Sequence, residues 1–353
     1  MGNTSWIHTE NMNKEESNKL NHIYRVVLVH RDRYLVRNEE KELYCTLTGS
    51  LRYREEFPVV GDDVEITENP YGDSLIREIR TRRTMFCRPD RGGHADSFAK
   101  TLQVQPLVAN IDYVFIITSL NQDFSINRIA RYAAMTVSGG AVPVAVLTKA
   151  DLCPDVEEME AKVTALSKNL KVVSISSRTG YGMDRLRTYF RPGVTIALLG
   201  SSGAGKSTLI NTLARREIMQ TGGIREEDSK GRHTTTHREL IELDGVSLID
   251  TPGLRELGMI DAEQGITGTF SDIAELISRC AFSDCTHRSE PGCAVREALE
   301  KGTLSAERWK TFSRLEKENQ WSKVRKNERM MNIAMERRKR NMALQRQGRG
   351  TDR

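Results

Sequence analysis

The chain has 353 residues, of which 38% are hydrophobic and 29% are charged, and it carries a net charge of +5. This length exceeds the usual size of one hydrophobic core, so we expect two or three domains. No apolar run approaches the roughly 20 residues of a membrane span, and the first residues lack the apolar core of a secretion signal. We therefore expect a cytoplasmic protein that does not contact a membrane.

The N-terminal part of the chain combines a polar segment with strand-like runs. Residues 1–21 are polar and aperiodic, which is typical of a disordered segment. Short strand-like runs follow between residues 22 and 100, separated by turn signals such as Gly61-Asp62-Asp63. This pattern predicts a small all-β barrel, for which the OB-fold is our first choice. Its five strands are predicted at residues 24–29, 33–36, 43–47, 64–66 and 75–79.

The pattern changes after residue 100 to apolar strands that alternate with helical segments, which is typical of a parallel α/β sheet. The predicted strands cover residues 113–117, 142–147, 171–175, 194–199, 240–243 and 246–249. Strand signals end at about residue 269, and a Cys/His cluster and a basic helical stretch follow.

A phosphate-binding loop is predicted at residues 200–207, which match the pattern G-x-x-x-x-G-K-S completely. The loop follows a predicted strand and precedes a helix with an apolar face, as a phosphate loop requires; the alternative is a chance glycine-rich turn. Glycines allow backbone N–H groups to surround the phosphates, while the lysine reaches the β- and γ-phosphates and the serine binds magnesium. The predicted phosphate-binding residues of this segment are Gly200, Ser201, Ser202, Gly203, Ala204, Gly205, Lys206, Ser207 and Thr208.

Three more segments lie at predicted strand ends, and together they indicate guanine rather than adenine as the base. Asp250 begins an Asp-Thr-Pro-Gly sequence, so its carboxylate can hold magnesium through water while the Gly253 N–H lies near the γ-phosphate. The sequence Thr-Lys-Ala-Asp at 148–151 is similar to the Asn/Thr-Lys-x-Asp motif, whose aspartate accepts two hydrogen bonds from guanine. Taken singly, such short matches also occur by chance. The predicted base-binding residues are Thr148, Lys149, Asp151, Ser176 and Ser177.

The order of these segments differs from that of most GTPases. The base motif usually lies well downstream of the phosphate loop, whereas here it precedes the loop, and residues 254–353 contain no second copy. This order is that of circularly permuted GTPases.

A cluster of four metal ligands occurs near the C-terminal end. Three cysteines and one histidine lie within fourteen residues, which is the full ligand count of a closed tetrahedral zinc site. The alternative is a set of scattered buried cysteines. A closed site leaves no open position for catalysis, so we expect one structural Zn²⁺. The predicted ligands are Cys280, Cys285, His287 and Cys293.

Two regions carry excess positive charge. Residues 323–353 contain eleven Lys or Arg against three acidic residues, a net charge of +8, which fits either a tail that binds RNA phosphates or a solvated tail without a ligand. The barrel can bind RNA or simply pack against its neighbour. Barrel residues that favour RNA contact are Arg52, Tyr53, Arg54, Arg80, Arg82 and Arg83.

The barrel, the reordered motifs and the Cys/His cluster together closely resemble the ribosome small-subunit-dependent GTPase A family, the RsgA/YjeQ type. The resemblance covers roughly residues 23–330, and the segments that carry it are 60–64, 148–151, 200–207, 231–236, 250–253 and 280–293. The chain departs from the family at Thr148, where the family more often has Asn. A threonine keeps a hydroxyl that can brace the phosphate loop.

The first switch is expected at residues 231–236, between the phosphate loop and the next predicted strand. GTPases take a magnesium-binding threonine from this switch. The distance to the strand that starts near residue 240 favours Thr235, with Thr234 and Thr236 as substitutes.

Activation of the attacking water needs another residue. Leu254 occupies the position where many GTPases have a catalytic glutamine. The resemblance implies that His233 orients the water instead, and the alternative is a loop histidine exposed to solvent. Without a built-in glutamine, we expect slow intrinsic hydrolysis that is accelerated by a partner.

The resemblance implies a multidomain GTP hydrolase with an OB-fold barrel over 22–100, a circularly permuted α/β P-loop GTPase domain over 101–268 and a small α-helical zinc-binding domain over 269–353. It implies Mg²⁺ bound with GTP, and binding to the small ribosomal subunit and its rRNA during late maturation. Hydrolysis would be stimulated by the subunit and coupled to release. We expect a monomer that does not bind DNA.

Two other functions remain open. A metabolic P-loop ATPase or kinase would prefer ATP and would be indifferent to the Asp151→Ala substitution. A zinc-dependent RNA-binding protein would use the nucleotide only for regulation, so the Lys206→Ala substitution would leave RNA binding and release intact.

Overall fold

A computed structural model describes residues 23–89, 104–121, 123–218, 240–250 and 262–348. The segment 1–21, which the sequence predicts to be disordered, lies outside the described residues. In chain order, the described residues form a closed barrel, a two-stranded ribbon, a six-stranded sheet flanked by helices, and a helical region.

The barrel confirms the predicted all-β domain, and each of its strands lies where the sequence predicts one. Its strands are β1 (Ile23–Val29), β2 (Tyr34–Arg37), β3 (Glu42–Leu47), β4 (Asp63–Thr67) and β5 (Ser74–Ile79). They close in the order β1-β2-β3-β5-β4, with β3 and β5 parallel and the other pairs antiparallel. A short helix, α1 (Gly49–Tyr53), follows β3. Alternate side chains point inward and form a core inside the barrel. The closed five-stranded order is that of an OB-type barrel.

A two-stranded ribbon, which is not among the strands predicted from the sequence, joins the barrel to the sheet. Strand β6 (Met85–Pro89) pairs antiparallel with β7 (Val104–Ala109). Two polar contacts then link the barrel directly to the sheet. Arg25 Nη1 donates to Thr195 Oγ1 at 2.9 Å, and Arg37 lies 3.0 Å from a carboxylate oxygen of Glu242. Since Thr195 is the first residue of its strand, Arg25 meets the amino-terminal edge of the parallel sheet.

The sheet confirms the predicted parallel α/β architecture. Its strands are β8 (Tyr113–Ser119), β9 (Val142–Thr148), β10 (Lys171–Ser174), β11 (Thr195–Gly200), β12 (Leu240–Leu243) and β13 (Val246–Asp250). They lie in the order β10-β9-β8-β11-β13-β12, and β12 alone among them is antiparallel to its neighbour. This exception follows from a two-residue turn, Asp244-Gly245, whose φ angles of 52° and 77° are those of a tight hairpin.

Helices cover both faces of the sheet. They are α2 (Ile126–Ser138), α3 (Val156–Thr164), α4 (Met183–Arg187) and α5 (Lys206–Ala214). Buried side chains of α2 and α3 belong to one core, while those of α4 and α5 belong to the core on the opposite face.

The helical region confirms the predicted change in architecture after the sheet. It contains α6 (Glu263–Thr269), α7 (Ser271–Ser278), α8 (Ala294–Glu300) and α9 (Ala306–Gly348). Buried side chains of α6 and α9, such as Ile266 and Phe312, belong to the same core as those of α2. Arg131 of α2 also forms an ion pair of 2.9 Å with Glu318 of α9. Among the described helices, none is both long and apolar enough to cross a bilayer.

Candidate nucleotide site and zinc centre

The predicted phosphate loop connects the end of β11 to the start of α5. Gly203 and Gly205 have φ angles of 76° and 94°, which a side chain would disfavour. Lys206 Nζ donates to the carbonyl oxygens of Gly200 at 2.8 Å and Ser201 at 2.7 Å. Left-handed residues next to a helix N-terminus form a concave array of N–H groups that suits an anion. The geometry is therefore that of a phosphate-binding loop.

The predicted base-binding residues lie at the same edge of the sheet as this loop. Thr148 ends β9, and its buried hydroxyl donates to the carbonyl oxygen of Ala204 at 2.6 Å. Ser176 follows β10, and its hydroxyl donates to Asp151 Oδ1 at 2.7 Å. Asp151 itself is exposed, so a ligand can reach its carboxylate. The structure thus brings the two sequence segments of the base site together and ties one of them to the phosphate loop.

Lys149 has a φ angle of 60°, which is unusual for a residue with a side chain. Such a conformation costs free energy and persists where the surrounding structure imposes it, often at ligand sites. Here it lies between the buried strand end at Thr148 and the short 3-10 turn Ala150–Leu152.

The predicted magnesium ligands are only partly described. Ser207 lies in the first turn of α5, and Asp250 ends β13, which pairs with β11 at Leu198. A hydroxyl and a carboxylate are oxygen donors of the kind that Mg²⁺ takes, so the residue types suit the ion, while the side chain of Asp250 lies outside the described part of the chain. The remaining predicted residues of the switches, Thr234, Thr235, Thr236, His233 and Gly253, lie outside the described residues.

One polar residue of this site was missed by the sequence analysis. Asp123 lies between β8 and α2, and its Oδ2 accepts a hydrogen bond from the hydroxyl of Ser201 in the phosphate loop. Arg128, in the first turn of α2, forms an ion pair of 2.9 Å with the same carboxylate. The hydrogen bonds from Arg128 and Ser201 hold the pKa of Asp123 below its ordinary value. No motif around Asp123 signals this contact, because it joins residues far apart in the chain.

The Cys/His cluster is assembled as the sequence predicts. The ligand atoms of Cys280, Cys285, His287 and Cys293 all lie within 4.8 Å of one another. His287 Nδ1 is 3.6 Å from the sulfur of Cys280 and 3.5 Å from that of Cys293, and these sulfurs are 4.0 Å apart. Zn–S and Zn–N bonds in a tetrahedral site separate the ligand atoms by about 3.5–3.8 Å. The four side chains therefore fit a zinc ion.

The surroundings of the cluster shift the pKa values of its members in different directions, and burial raises the pKa of Cys285 to about 11. Burial raises the pKa of Cys280, but backbone N–H groups at the start of α8 and hydrogen bonds from Cys293 and Cys285 together outweigh burial, so the pKa is lowered and the thiolate is favoured. Burial lowers the pKa of His287 and favours its neutral form. The His287 ring also packs edge-on against Trp309 of α9, with centroids 5.4 Å apart. The long helix thereby supports one of the ligands.

The barrel surface shows partners of the predicted arginines that the sequence does not reveal. Arg80, Arg82 and Arg83 are engaged in ion pairs of 2.7 Å, with Glu65, Asp62 and Asp112 respectively. The Arg82 pair is structural because the Asp62 side chain is fully buried.

The other barrel residues that favour RNA contact, Arg52, Tyr53 and Arg54, are exposed. Arg52 lines a cleft of 220 Å³ together with Arg31 and the half-exposed ring of Phe57. Tyr53 is 90% exposed, and Arg54 lies 3.8 Å from the carboxylate of Glu56, at the limit of an ion pair. Part of the positive charge on the barrel surface is therefore offset by neighbouring carboxylates.

The fold and the phosphate loop define a P-loop GTPase in which the strand carrying the base motif precedes the loop in the chain. Comparison with known proteins agrees with this class. The family model described as RsgA GTPase matches residues 79–260, which is more than half of the chain. A model described as ABC transporter matches residues 183–342, a smaller part that includes the phosphate loop common to both classes.

Individual relatives agree with the family model. The chain is 43% identical over 310 residues to the small ribosomal subunit biogenesis GTPase RsgA of Opitutus terrae, covering 83% of this chain and 82% of that protein. Two solved structures are similar. The crystal structure of YjeQ from Thermotoga maritima has a TM-score of 0.62 and 26% identity, covering 83% of this chain and 96% of that one. YloQ, a circularly permuted GTPase, has a TM-score of 0.61 and 25% identity, covering 86% and 95%.

The chain therefore belongs to the RsgA family of circularly permuted GTPases, and it is a hydrolase acting on GTP.

Proposed function

We propose that the chain binds the small ribosomal subunit in the cytoplasm and assists its late maturation. In this proposal, the subunit stimulates GTP hydrolysis, and hydrolysis is coupled to release. The observation that carries the proposal is the identity of 43% over 83% of the chain with a protein named small ribosomal subunit biogenesis GTPase. The match covers 82% of that relative's length, so it is not confined to the nucleotide site.

The nucleotide would lie along the edge formed by the carboxyl ends of the parallel strands. The N–H groups of 200–208, with that of Gly253, would surround the phosphates, and Lys206 would neutralise part of their charge. At the other end of the site, Asp151 would accept hydrogen bonds from the N1–H and 2-amino groups of guanine. Adenine offers no such pair of donors, so this carboxylate supports preference for GTP.

In this proposal, different residues hold the Mg²⁺ ion and orient the water that attacks GTP. Ser207, Thr235 and Asp250 would hold Mg²⁺, which supplies neutralisation of the charge that develops on the phosphates. His233 would orient the attacking water by accepting or donating a hydrogen bond. Because Leu254 replaces the usual glutamine, the proposed site needs a partner to order the switch, which supports stimulation by the ribosomal particle.

The helical region supports a mechanical connection between nucleotide and partner. It begins at α6, one residue after the undescribed segment that contains the second switch. Cys280, Cys285, His287 and Cys293 would hold a structural Zn²⁺ between α7 and α8 of this region. A change in the switch would thus act directly on α6, and through it on the zinc-bearing part.

The surfaces proposed to meet rRNA are the barrel cleft near Arg52 and the positively charged C-terminal part. Residues 323–353 carry a net charge of +8, which suits a polyanion. The side chains of 337–340 lie outside the described residues. We propose that the chain acts as a monomer.

Phosphate release from GTP and from ATP, measured with purified small subunits, purified large subunits or neither, tests the proposal. We expect GTP to be preferred and only small subunits to accelerate hydrolysis. Preference for ATP would favour a metabolic ATPase, and indifference to small subunits would contradict the proposed partner. A Lys206→Ala variant serves as the inactive control. If that variant binds and leaves the small subunit as the wild type does, nucleotide only regulates an RNA-binding protein.

A further inference from the structure

Among the described residues, Asp123 is a carboxylate that contacts the phosphate loop from outside it. It lies in the connection between β8 and α2, and its backbone N–H donates to Asn121 Oδ1 at 3.1 Å. The hydroxyl of Ser119 donates to the same Asn121 oxygen at 2.8 Å. The connection is also fixed to β9, because Leu120 N donates to the carbonyl of Thr148 at 2.9 Å. Asp123 is therefore held on a braced turn.

A carboxylate beside a site for triphosphate is electrostatically unfavourable unless its charge is neutralised. Arg128 supplies that neutralisation through two contacts, Nη1 to Oδ2 at 2.9 Å and Nη2 to Oδ1 at 3.2 Å. This is the bidentate geometry in which a guanidinium binds a carboxylate most favourably. The protein thus keeps a carboxylate at the phosphate loop and neutralises its negative charge with Arg128. This arrangement indicates that the carboxylate has a role at the loop.

The contact determines the conformation of one loop residue. The hydroxyl of Ser201 donates to Asp123, while the carbonyl of Ser201 accepts from Lys206 Nζ at 2.7 Å. The hydroxyl and the carbonyl of Ser201 are therefore both hydrogen-bonded to other protein groups. A loop fixed in this way loses less conformational entropy when a ligand binds.

We propose that Asp123 is a positioning residue for nucleotide binding, which holds Ser201 so that the phosphate loop keeps its binding conformation without nucleotide. Arg128 is the counter-ion that makes this possible. The inference goes beyond the ribosomal role, and it requires only that the loop binds nucleotide.

The test is the affinity of the full-length, zinc-loaded protein for a fluorescent GDP, with Asp123→Ala, Ser201→Ala and the double variant. Each single variant is expected to raise Kd about three- to tenfold, because a hydrogen bond to a partly exposed charged group is lost. The double variant should have a Kd for GDP no higher than that of the weaker-binding single variant, because both substitutions remove the same contact. The Ser201→Thr variant keeps the hydroxyl and should bind GDP within about twofold of wild type.

A matched control separates positioning from general stability. Asp73→Ala removes another bidentate ion pair, with Arg33 at 2.7 Å, from the barrel. It should leave the Kd for GDP unchanged whatever it does to the melting temperature. In steady-state GTP hydrolysis, Asp123→Ala should raise KM more than it lowers kcat.

Two outcomes would overturn the inference. They are an unchanged Kd in Asp123→Ala, whether or not its melting temperature falls, and additive losses in the double variant. If the wild-type protein itself bound no GDP, the assignment of the site would fail as well. Should Asp123→Ala not fold, Ser201→Ala, which removes the same hydrogen bond from the side of the loop, is judged by its Kd and melting temperature instead.

Discussion

The hydrogen bond between Thr148 and the phosphate loop gives the most direct test of the site's architecture. We consider the substitution Thr148→Val, which keeps the shape of the side chain and removes its hydroxyl. Thr148 is 4% exposed and Ala204 is fully buried, so water cannot replace the lost donor. An unsatisfied buried carbonyl costs about 1–3 kcal/mol. The free energy of unfolding should fall by that amount, and affinity for GDP should fall because the two halves of the site are no longer linked.

Urea unfolding of the nucleotide-free protein and GDP binding measure the two effects. Thr148→Asn introduces the side chain more often found in the family, which can still donate, and should restore most of both quantities. The matched control is Thr136→Val in α2. Its hydroxyl donates to the carbonyl of Tyr132 at 2.7 Å, but that carbonyl lies within a helix and has a backbone partner as well. If Thr148→Val were no more destabilising than Thr136→Val and bound GDP normally, the proposed link would be wrong.

Four further predictions concern other parts of the chain. Chelation of zinc should lower the melting temperature and the helical circular dichroism, and added Zn²⁺ should restore both; an unaffected melting curve would contradict a structural metal. The substitution Gly265→Ala should lower the free energy of unfolding by about 1–3 kcal/mol, since a Cβ there would lie 2.0 Å from the carbonyl oxygen of Ala134; wild-type stability in urea would contradict the close packing of α6 on α2. Burial raises the pKa of Asp272, but Arg308 outweighs it and the pKa is lowered, so the stabilisation is present above the ordinary value of 3.8 and is lost as pH falls through the folded pKa. The difference in melting temperature between wild type and Asp272→Asn should therefore shrink below pH 3.8, and a difference independent of pH would refute it. Finally, Asp151→Asn replaces one acceptor with a donor, which matches the 2-oxo group of xanthine better than the 2-amino group of guanine; competition binding should show a shift from GDP towards XDP, and undiminished preference for GDP would argue against Asp151 as the base-reading residue.

The strands were predictable because their signal is local. Alternating or continuous apolar runs predict every strand of the barrel and of the sheet to within about two residues, and the order of the motifs predicts the circular permutation. The ribbon of β6 and β7 was not predictable, since a stretch of 14 residues outside the described part separates its strands and neither alternates clearly. The domain boundaries at residues 100 and 268 stay predictions.

The site was predictable where a motif is contiguous and not where it depends on tertiary contacts. The phosphate loop and the zinc ligands occupy short segments with fixed spacing. By contrast, Arg82 looked like an RNA-binding residue because sequence does not reveal that buried Asp62 is its partner. Asp123 was missed for the same reason, as its contact with Ser201 exists only after β8 and β11 pair.

The core shared by α2, α6 and α9 has a consequence for how the protein unfolds. Most buried side chains of the barrel form a core of their own, with only Val27 and Val60 in that of the GTPase sheet, whereas the helical region packs its apolar side chains into the core of the sheet. The nucleotide site and the zinc-bearing helices should therefore form one cooperative unit and lose their structure in the same transition. Bound GDP would then slow hydrogen exchange in the buried amides of α9, although that helix lies outside the phosphate loop.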